Sequence, residues 1–211
     1  MPRAYTFAIL ALALLALPFV LYSAGFGLAG LTRDLSSETR LFTTPLPNAL
    51  IFTHMATGAV ATLLAPFQLI ERIRIRRPRL HRRLGYVTLT ASAITGLAGL
   101  SYIALRGTIG GPLMSAGFAL YGALLLIAAA NTVYYALDKN HAAHRAWALR
   151  LTVLAIGSFL YRLHYWVWYA ATGGIGSTEA FTGPFDLFNF VGFYLPYLIA
   201  LEIYLRRERA A

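Results

Sequence analysis

Two histidines lie inside apolar stretches of the chain, and they are its strongest candidates for chemistry. His54 falls in the second stretch and His164 in the fifth, and an imidazole in hydrocarbon is costly unless it has a partner. In the topology that the arginines indicate, each histidine lies about two helical turns from the outer end of its span. The two imidazoles are therefore predicted to lie at similar depth, where neighbouring helices could hold one cofactor between them.

Small residues share a helix face with each histidine. Gly58 lies on the face of His54 and Gly157 on that of His164, at three- and four-residue spacing. A flat macrocycle needs such room, and two histidines in a helical bundle can hold haem b in this way, with Arg162 pairing to a propionate. The sequence thus predicts a cofactor site formed by these five residues. The alternative is that the histidines only bond to neighbouring helices and the glycines only serve packing.

Three further histidines lie near the opposite ends of the spans. His141 and His144 are three residues apart, so they can face the same side of a helix and bind a transition metal ion, with His81 as a third ligand. The alternative is that they bond to loop carbonyls or lipid phosphates. A hydrolase built on this site is the weaker interpretation, because the sequence has no motif such as His-Glu-x-x-His.

The composition is that of a polytopic membrane protein. Hydrophobic residues make up 58% of the 211 residues, charged residues only 12%, and the mean hydropathy is +0.62. The net charge of +10 could suggest nucleic acid, but the basic residues cluster at the ends of apolar stretches, as membrane topology would place them. The chain has no cysteine, which excludes disulfides, thiolate metal sites and covalent haem attachment.

Six apolar stretches are long enough to cross about 30 Å of hydrocarbon. They are predicted as Tyr5–Ala29, Pro47–Ile70, Tyr86–Leu105, Pro112–Leu137, Arg145–Ala171 and Pro184–Leu205. The first is longer than the core of an ordinary signal peptide, so we expect it to be retained. The fold class is therefore all-α, a single transmembrane helix bundle over residues 1–211.

The distribution of arginine predicts the orientation. The segment Arg72–Arg83 carries seven arginines and is read as a loop, and it falls on the same side of a six-span chain as Lys139, Arg145 and the basic tail. The other side has only Arg33, Arg40 and Arg106. The excess of positive charge places both termini in the cytoplasm. Most of these arginines are expected to face solvent or lipid headgroups.

Four motifs follow one another between Ile51 and about Arg162. They are His54-x-x-x-Gly58-Ala59, Ala65-Pro66-Phe67-Gln68-Leu69, Arg77-Pro78-Arg79-Leu80-His81-Arg82-Arg83-Leu84-Gly85 and His144-Arg145-x-Trp147-x-x-Arg150. Together they resemble the DUF2306 family of predicted bacterial membrane proteins, whose name denotes unknown function. The resemblance implies a multi-pass protein of the bacterial inner membrane and no particular reaction. The family positions that it implies are His54, His81, His144, Arg145, Trp147, Arg150 and Arg162, and His141 and His164 lie outside them.

Three functions remain open from the sequence. The first is a membrane electron-transfer protein that binds haem b or a metal ion through histidines and exchanges electrons with a quinone or another redox partner. The second is a carrier or binding protein for a small anion or lipid, because Arg150 and Arg162 lie in apolar stretches and buried arginines need anionic partners. The third is a structural or assembly role, in which the polar residues only lock helix packing. Whether the protein is an enzyme is left open.

Overall fold

Helices form all of the regular secondary structure in the part of the chain that the computed structural model describes, residues 3–33 and 45–210. This confirms the predicted all-α class. Most of the predicted outer loop between the first two spans, with Arg40, lies outside the described residues. The helices are α1 (Arg3–Thr32), α2 (Pro45–Gln68), α3 (Glu71–Arg76), α4 (Pro78–Arg106), α5 (Gly111–Leu137), α6 (His141–Ala155), α7 (Gly157–Thr172), α8 (Pro184–Gly192) and α9 (Leu195–Ala210).

The helices are long and apolar enough to cross a membrane several times. Five segments of the described chain pass by length and composition: α1, α2, α4, α5 and the continuous stretch Pro184–Glu208, which spans α8 and most of α9. A sixth passes if α6 and α7, which meet at a 45° bend, count as one span. A multi-pass membrane protein is therefore confirmed.

The basic segment Arg72–Arg83 differs from the expected loop. Residues 72–76 belong to the short helix α3, Arg77 caps that helix, and residues 78–83 belong to α4, which begins at Pro78 rather than at Tyr86. Arginine is a good helix former, and proline is favoured in the first turn because its missing N–H has no intrahelical acceptor there anyway. Hydropathy locates the apolar part of a helix and misses a basic extension of the same helix.

The chain divides into two compact units, Met1–Leu105 and Arg106–Ala211. In the first unit α1 lies close against α2. A Cβ added to Gly27 would lie 2.7 Å from the backbone nitrogen of Ala56, so the contact requires glycine. The Ser23 hydroxyl donates to the Met55 carbonyl at 3.0 Å across the same contact.

In the second unit, the predicted fifth span is broken between α6 and α7. The bend lies at Ile156, and the Tyr121 hydroxyl of α5 donates to the Leu154 carbonyl at 2.5 Å. A bend removes helical partners from the last carbonyls of α6, and inside a membrane these need a substitute. Tyr121 supplies one, so the break is supported by packing from α5.

The core of the second unit is aromatic. Tyr121 packs against Phe193 and Tyr194, which separate α8 from α9, with ring centroids 4.9 and 5.4 Å away. Both of these residues are completely buried, and the Tyr194 hydroxyl donates to the Gly117 carbonyl at 3.3 Å. This cluster fixes α8, and with it the polar residues that face α7.

Candidate functional site

His54 has a fixed ring orientation in the first unit. Its Nδ1 lies 2.9 Å from the carbonyl oxygen of Thr95 on α4. A carbonyl oxygen can only accept, so Nδ1 carries the proton and the neutral ring has its lone pair on Nε2. Metal-ligating histidines commonly donate their other N–H to a backbone carbonyl in this way, which sets the tautomer and the ring angle.

Two glycines surround this contact. A Cβ at Gly99, one turn after Thr95, would lie 2.6 Å from Nδ1 of His54, so the ring fits against α4 only because that side chain is absent. A Cβ at Gly58 would lie 3.4 Å from Cγ2 of Thr95, an ordinary contact, so the packing of α2 against α4 does not require glycine there. The place of Gly58 beside a cofactor stays a prediction.

Thr95 itself is held by hydrogen bonds. Its hydroxyl donates to the Ala91 carbonyl at 2.7 Å and lies 2.7 Å from the hydroxyl of Thr57 on α2. The carbonyl that orients His54 therefore belongs to a residue whose side chain is hydrogen-bonded both within α4 and to α2. The orientation of the His54 ring is therefore set by a well-ordered part of α4.

His164 lies in the second unit, on α7, and both of its ring nitrogens have partners. Nδ1 lies 2.8 Å from Oδ1 of Asn189, and Nε2 lies 2.7 Å from the Tyr197 hydroxyl. An amide oxygen only accepts, so Nδ1 donates, and in the neutral ring Nε2 then accepts from the Tyr197 hydroxyl. The Asn189 side chain is completely buried and also donates to the Tyr161 carbonyl at 3.4 Å. His164 thus has the same tautomer as His54, with a tyrosine hydroxyl on the nitrogen that would bind a metal.

The two other residues predicted beside His164 have separate contacts. A Cβ at Gly157 would lie 2.9 Å from Cε2 of Tyr121, so Gly157 makes room for an aromatic ring at the bend. Arg162 is exposed and donates to the carbonyl and the hydroxyl of Ser158 at 3.1 and 3.0 Å. Their roles beside a cofactor stay predictions.

A buried carboxylate closes the loop between α7 and α8. Asp186 is completely buried and accepts hydrogen bonds from the hydroxyls of Tyr165 and Ser177 and from the backbone nitrogens of Thr178 and Gly183, at 2.7 to 3.0 Å. Its bond to Gly183 reaches back to the residue before the first turn of α8, as in a capping box. These four donors saturate the carboxylate, so Asp186 fixes the loop and does not orient His164.

The arginines of α6 pair with glutamates of α9. Arg150 makes a bidentate contact with Glu202 at 2.6 and 2.9 Å and lies over the Trp147 ring, 4.5 Å from its centroid. Arg145 makes a more exposed contact with Glu208 at 2.6 Å. Two planar guanidinium groups thus bind α6 to α9. The sequence indicated that Arg150 needs an anionic partner, and the structure shows Glu202 of α9 in that place.

The predicted metal ligands have different environments. His144 is half-buried, and its Nδ1 donates to the Thr132 carbonyl at 2.9 Å, whereas His141 is exposed at the start of α6. His81 lies in the first turn of α4, in the other unit. Within residues 3–33 and 45–210, no group of three or more His, Asp or Glu side chains is arranged to hold a metal ion. The site of His81, His141 and His144 therefore stays a prediction from the sequence.

Comparison with known protein families assigns the chain to one family. The family model DUF2306, described as a predicted membrane protein, matches residues 51–194. The chain belongs to this family. No curated protein and no solved structure gives a significant match. The family description agrees with a multi-pass membrane protein and names no reaction.

The DUF2306 match covers both intramembrane histidines but not all of their surroundings. It includes His54, His164 and Asn189, and it ends before Tyr197 and Glu202. The seam between α6 and α9 in this DUF2306 protein therefore joins arginines inside the matched segment to glutamates beyond it.

Some residues that contact His54 and His164 could not be identified from the sequence. Thr95 and Gly99 carried a signal, as small residues spaced for close packing, but nothing in the sequence linked them to His54, 41 residues away from Thr95. Tyr197 had no signal beyond belonging to an aromatic-rich apolar stretch, where tyrosine is ordinary.

Proposed function

We propose that this DUF2306 protein binds a redox cofactor, haem b or a transition metal ion, through histidine, with His54 as a ligand. The observation that supports it is the ring of His54 in a membrane-length helix, with Nδ1–H donated to the Thr95 carbonyl. An intramembrane ionisable residue is a functional-site hypothesis by default, and this one is held in the tautomer that a metal ligand needs.

The surroundings of His54 suit a ligand because they fix its ring. The contacts with Thr95 and Gly99 lie on the Nδ1 edge of the ring and set its orientation and tautomer. His164 belongs to the other unit and its Nε2 already has the Tyr197 hydroxyl as a partner, so its role as a ligand stays a prediction from the sequence. Haem or a redox-active metal would supply one-electron transfer, with a quinone or another redox partner as the source or acceptor of electrons. The chain's own residues would fix the ligands and their ring angles.

The carrier alternative has less support. Arg150, one of the two intramembrane arginines on which it rests, is already neutralised by a bidentate contact with Glu202. A carried anion would have to compete with a carboxylate that is part of the same folded unit, and breaking such a partly buried pair is costly.

The test is an optical spectrum with metal analysis of the purified full-length protein. We expect a reduced-minus-oxidised difference in the Soret region, or a bound transition metal, that is lost in His54→Ala. His141→Ala separates this site from the predicted metal site of His81, His141 and His144, because a metal signal that is lost in His141→Ala and kept in His54→Ala would contradict the role of His54. A wild-type protein purified from cells supplied with haem and metals, yet without a Soret band or bound metal, would refute the proposal. Histidine variants that lose only thermal stability would favour the structural role.

A further inference from the structure

An arginine-lined cavity lies where α3 meets α4. Its volume is about 640 Å³, within the range of ligand sites, and all of its lining residues are exposed. The lining residues are Arg76, Arg77, Pro78, Arg79, Leu80 and Arg83. The cavity therefore combines four positive charges with an open mouth.

The carboxylates of the described residues leave the charges of this cavity without an ion pair. Within the part of the chain that the structure describes, none of its four arginines forms an ion pair with a carboxylate. Other arginines of the protein are engaged, since Arg74 lies 3.7 Å from Glu71 and Arg150 contacts Glu202. Guanidinium groups match phosphate oxygens in a planar, bidentate geometry, so four of them around one cavity favour a phosphate group.

The position of the cavity matches the headgroup layer. The cavity lies at the first residues of α4, and a helix of 29 residues is about 43 Å long, more than the roughly 30 Å of the hydrocarbon core. Its ends must therefore reach the headgroups. Apolar side chains border the arginines, with Ile75 65% and Tyr86 53% exposed, as expected of a segment that lies against lipid.

The backbone adds to the attraction. Arg79 and Leu80 follow Pro78 in the first turn of α4, where backbone N–H groups have no intrahelical acceptor. The amino-terminal end of a helix also favours an anion through the aligned peptide dipoles. These groups point toward the same end of the helix that lines the cavity.

We propose that this cavity binds the phosphate of an anionic phospholipid headgroup, on the side of the membrane where the arginines place the cytoplasm. The site would anchor the α3–α4 junction to the lipid surface through four charge-assisted contacts. It is separate from His54 and does not depend on the proposed cofactor.

The experiment compares two variants with equal charge. The cavity variant carries Arg76→Gln, Arg77→Gln, Arg79→Gln and Arg83→Gln. The control carries Arg72→Gln, Arg74→Gln, Arg206→Gln and Arg207→Gln, which remove the same charge outside the cavity. Full-length proteins are placed in nanodiscs of phosphatidylcholine with an increasing fraction of phosphatidylglycerol, starting from none, and native mass spectrometry counts the phosphatidylglycerol molecules retained after delipidation at each fraction.

We expect the wild type and the control to retain phosphatidylglycerol to a similar extent. The cavity variant should need at least about tenfold more phosphatidylglycerol to reach the same occupancy. Equal retention in the two variants would overturn the proposal, because attraction would then follow net charge alone. If the fourfold variants express poorly, Arg79→Gln with Arg83→Gln is compared with Arg206→Gln and Arg207→Gln under the same criterion.

A second arm separates the lipid from a free anion. Inorganic phosphate at millimolar concentration is added to wild-type protein in phosphatidylcholine nanodiscs, and thermal unfolding is recorded. We expect little stabilisation by phosphate and clear stabilisation by phosphatidylglycerol. Equal stabilisation by both would overturn the lipid assignment in favour of a soluble anion. The optical spectrum of the cavity variant should match that of the wild type, so failure here is distinguishable from failure of the cofactor proposal.

Discussion

Replacing Gly99 by alanine should displace the His54 ring. The added Cβ would lie 2.6 Å from Nδ1 and 3.0 Å from Cε1 of His54, which is too close for either atom to stay in place. The ring cannot retreat without lengthening its 2.9 Å bond to the Thr95 carbonyl. The substitution therefore acts on the hydrogen bond between Nδ1 of His54 and the Thr95 carbonyl.

The size of the effect follows from three contributions. Loss of a buried hydrogen bond costs about 1–3 kcal/mol, and overpacking at a helix contact costs a similar ~1–3 kcal/mol. The better helix propensity of alanine returns about 1 kcal/mol. We expect the free energy of unfolding of the Gly99→Ala variant to fall by about 3 kcal/mol, which lowers the Tm of a chain of this length by roughly 6–12 °C.

The assay is thermal unfolding in detergent with a matched control and a double-mutant cycle. Gly85→Ala is the control on the same helix, because its Cβ would lie 3.5 Å from Oε1 of Gln68, an ordinary contact. In a His54→Ala background the cost of Gly99→Ala should largely disappear, since the clashing ring is gone. If Gly99→Ala costs as much in that background as in the wild type, the proposed contact is not what constrains Gly99.

Three further experiments test the second unit. Tyr121→Phe should lower the free energy of unfolding by about 1–3 kcal/mol, because the Leu154 carbonyl at the bend loses its donor, and thermal unfolding measures this. Asp186→Asn should destabilise by about 2–4 kcal/mol and speed proteolysis of the loop before α8, because an amide places N–H groups where four donors need acceptors; unchanged cleavage would contradict the clamp. A double-mutant cycle of Arg150→Gln and Glu202→Gln should give a coupling energy of about 1–3 kcal/mol, and a value near zero would show that the bidentate contact does not hold α6 to α9.

Hydropathy alone predicted the membrane-length apolar segments, but it did not predict where a helix bends or where it begins. The bend at Ile156 lies in a run without proline, and its local signal is only the Gly157–Ser158 pair beside it. Its support comes from another helix, since the Tyr121 hydroxyl donates to the Leu154 carbonyl at the bend. The start of α4 at Pro78 was not predicted because hydropathy was used to locate the span. The first residues of α4 favour a helix, but their arginines are too polar to be counted as part of an apolar segment.

The histidines show the same division between local and tertiary information. Placing His54 and His164 inside apolar helices needed only the sequence, and the structure keeps both there. Their ring orientations depend on the Thr95 carbonyl and on Asn189, which lie 41 and 25 residues away along the chain. No periodicity within one helix carries that information, because the relevant spacing is between helices.

The structure also redistributes the arginines between two roles. A guanidinium group inside a membrane needs an anionic partner, and Arg150 has one in Glu202. The charge of Arg150 therefore stabilises the contact between α6 and α9 and is not available to another anion. The arginines at the start of α4 face the opposite condition: Arg79 and Arg83 are exposed and form no ion pair with a described carboxylate, so their charge remains available to an external anion. Anion binding by this protein is therefore expected at the membrane surface rather than within the bundle.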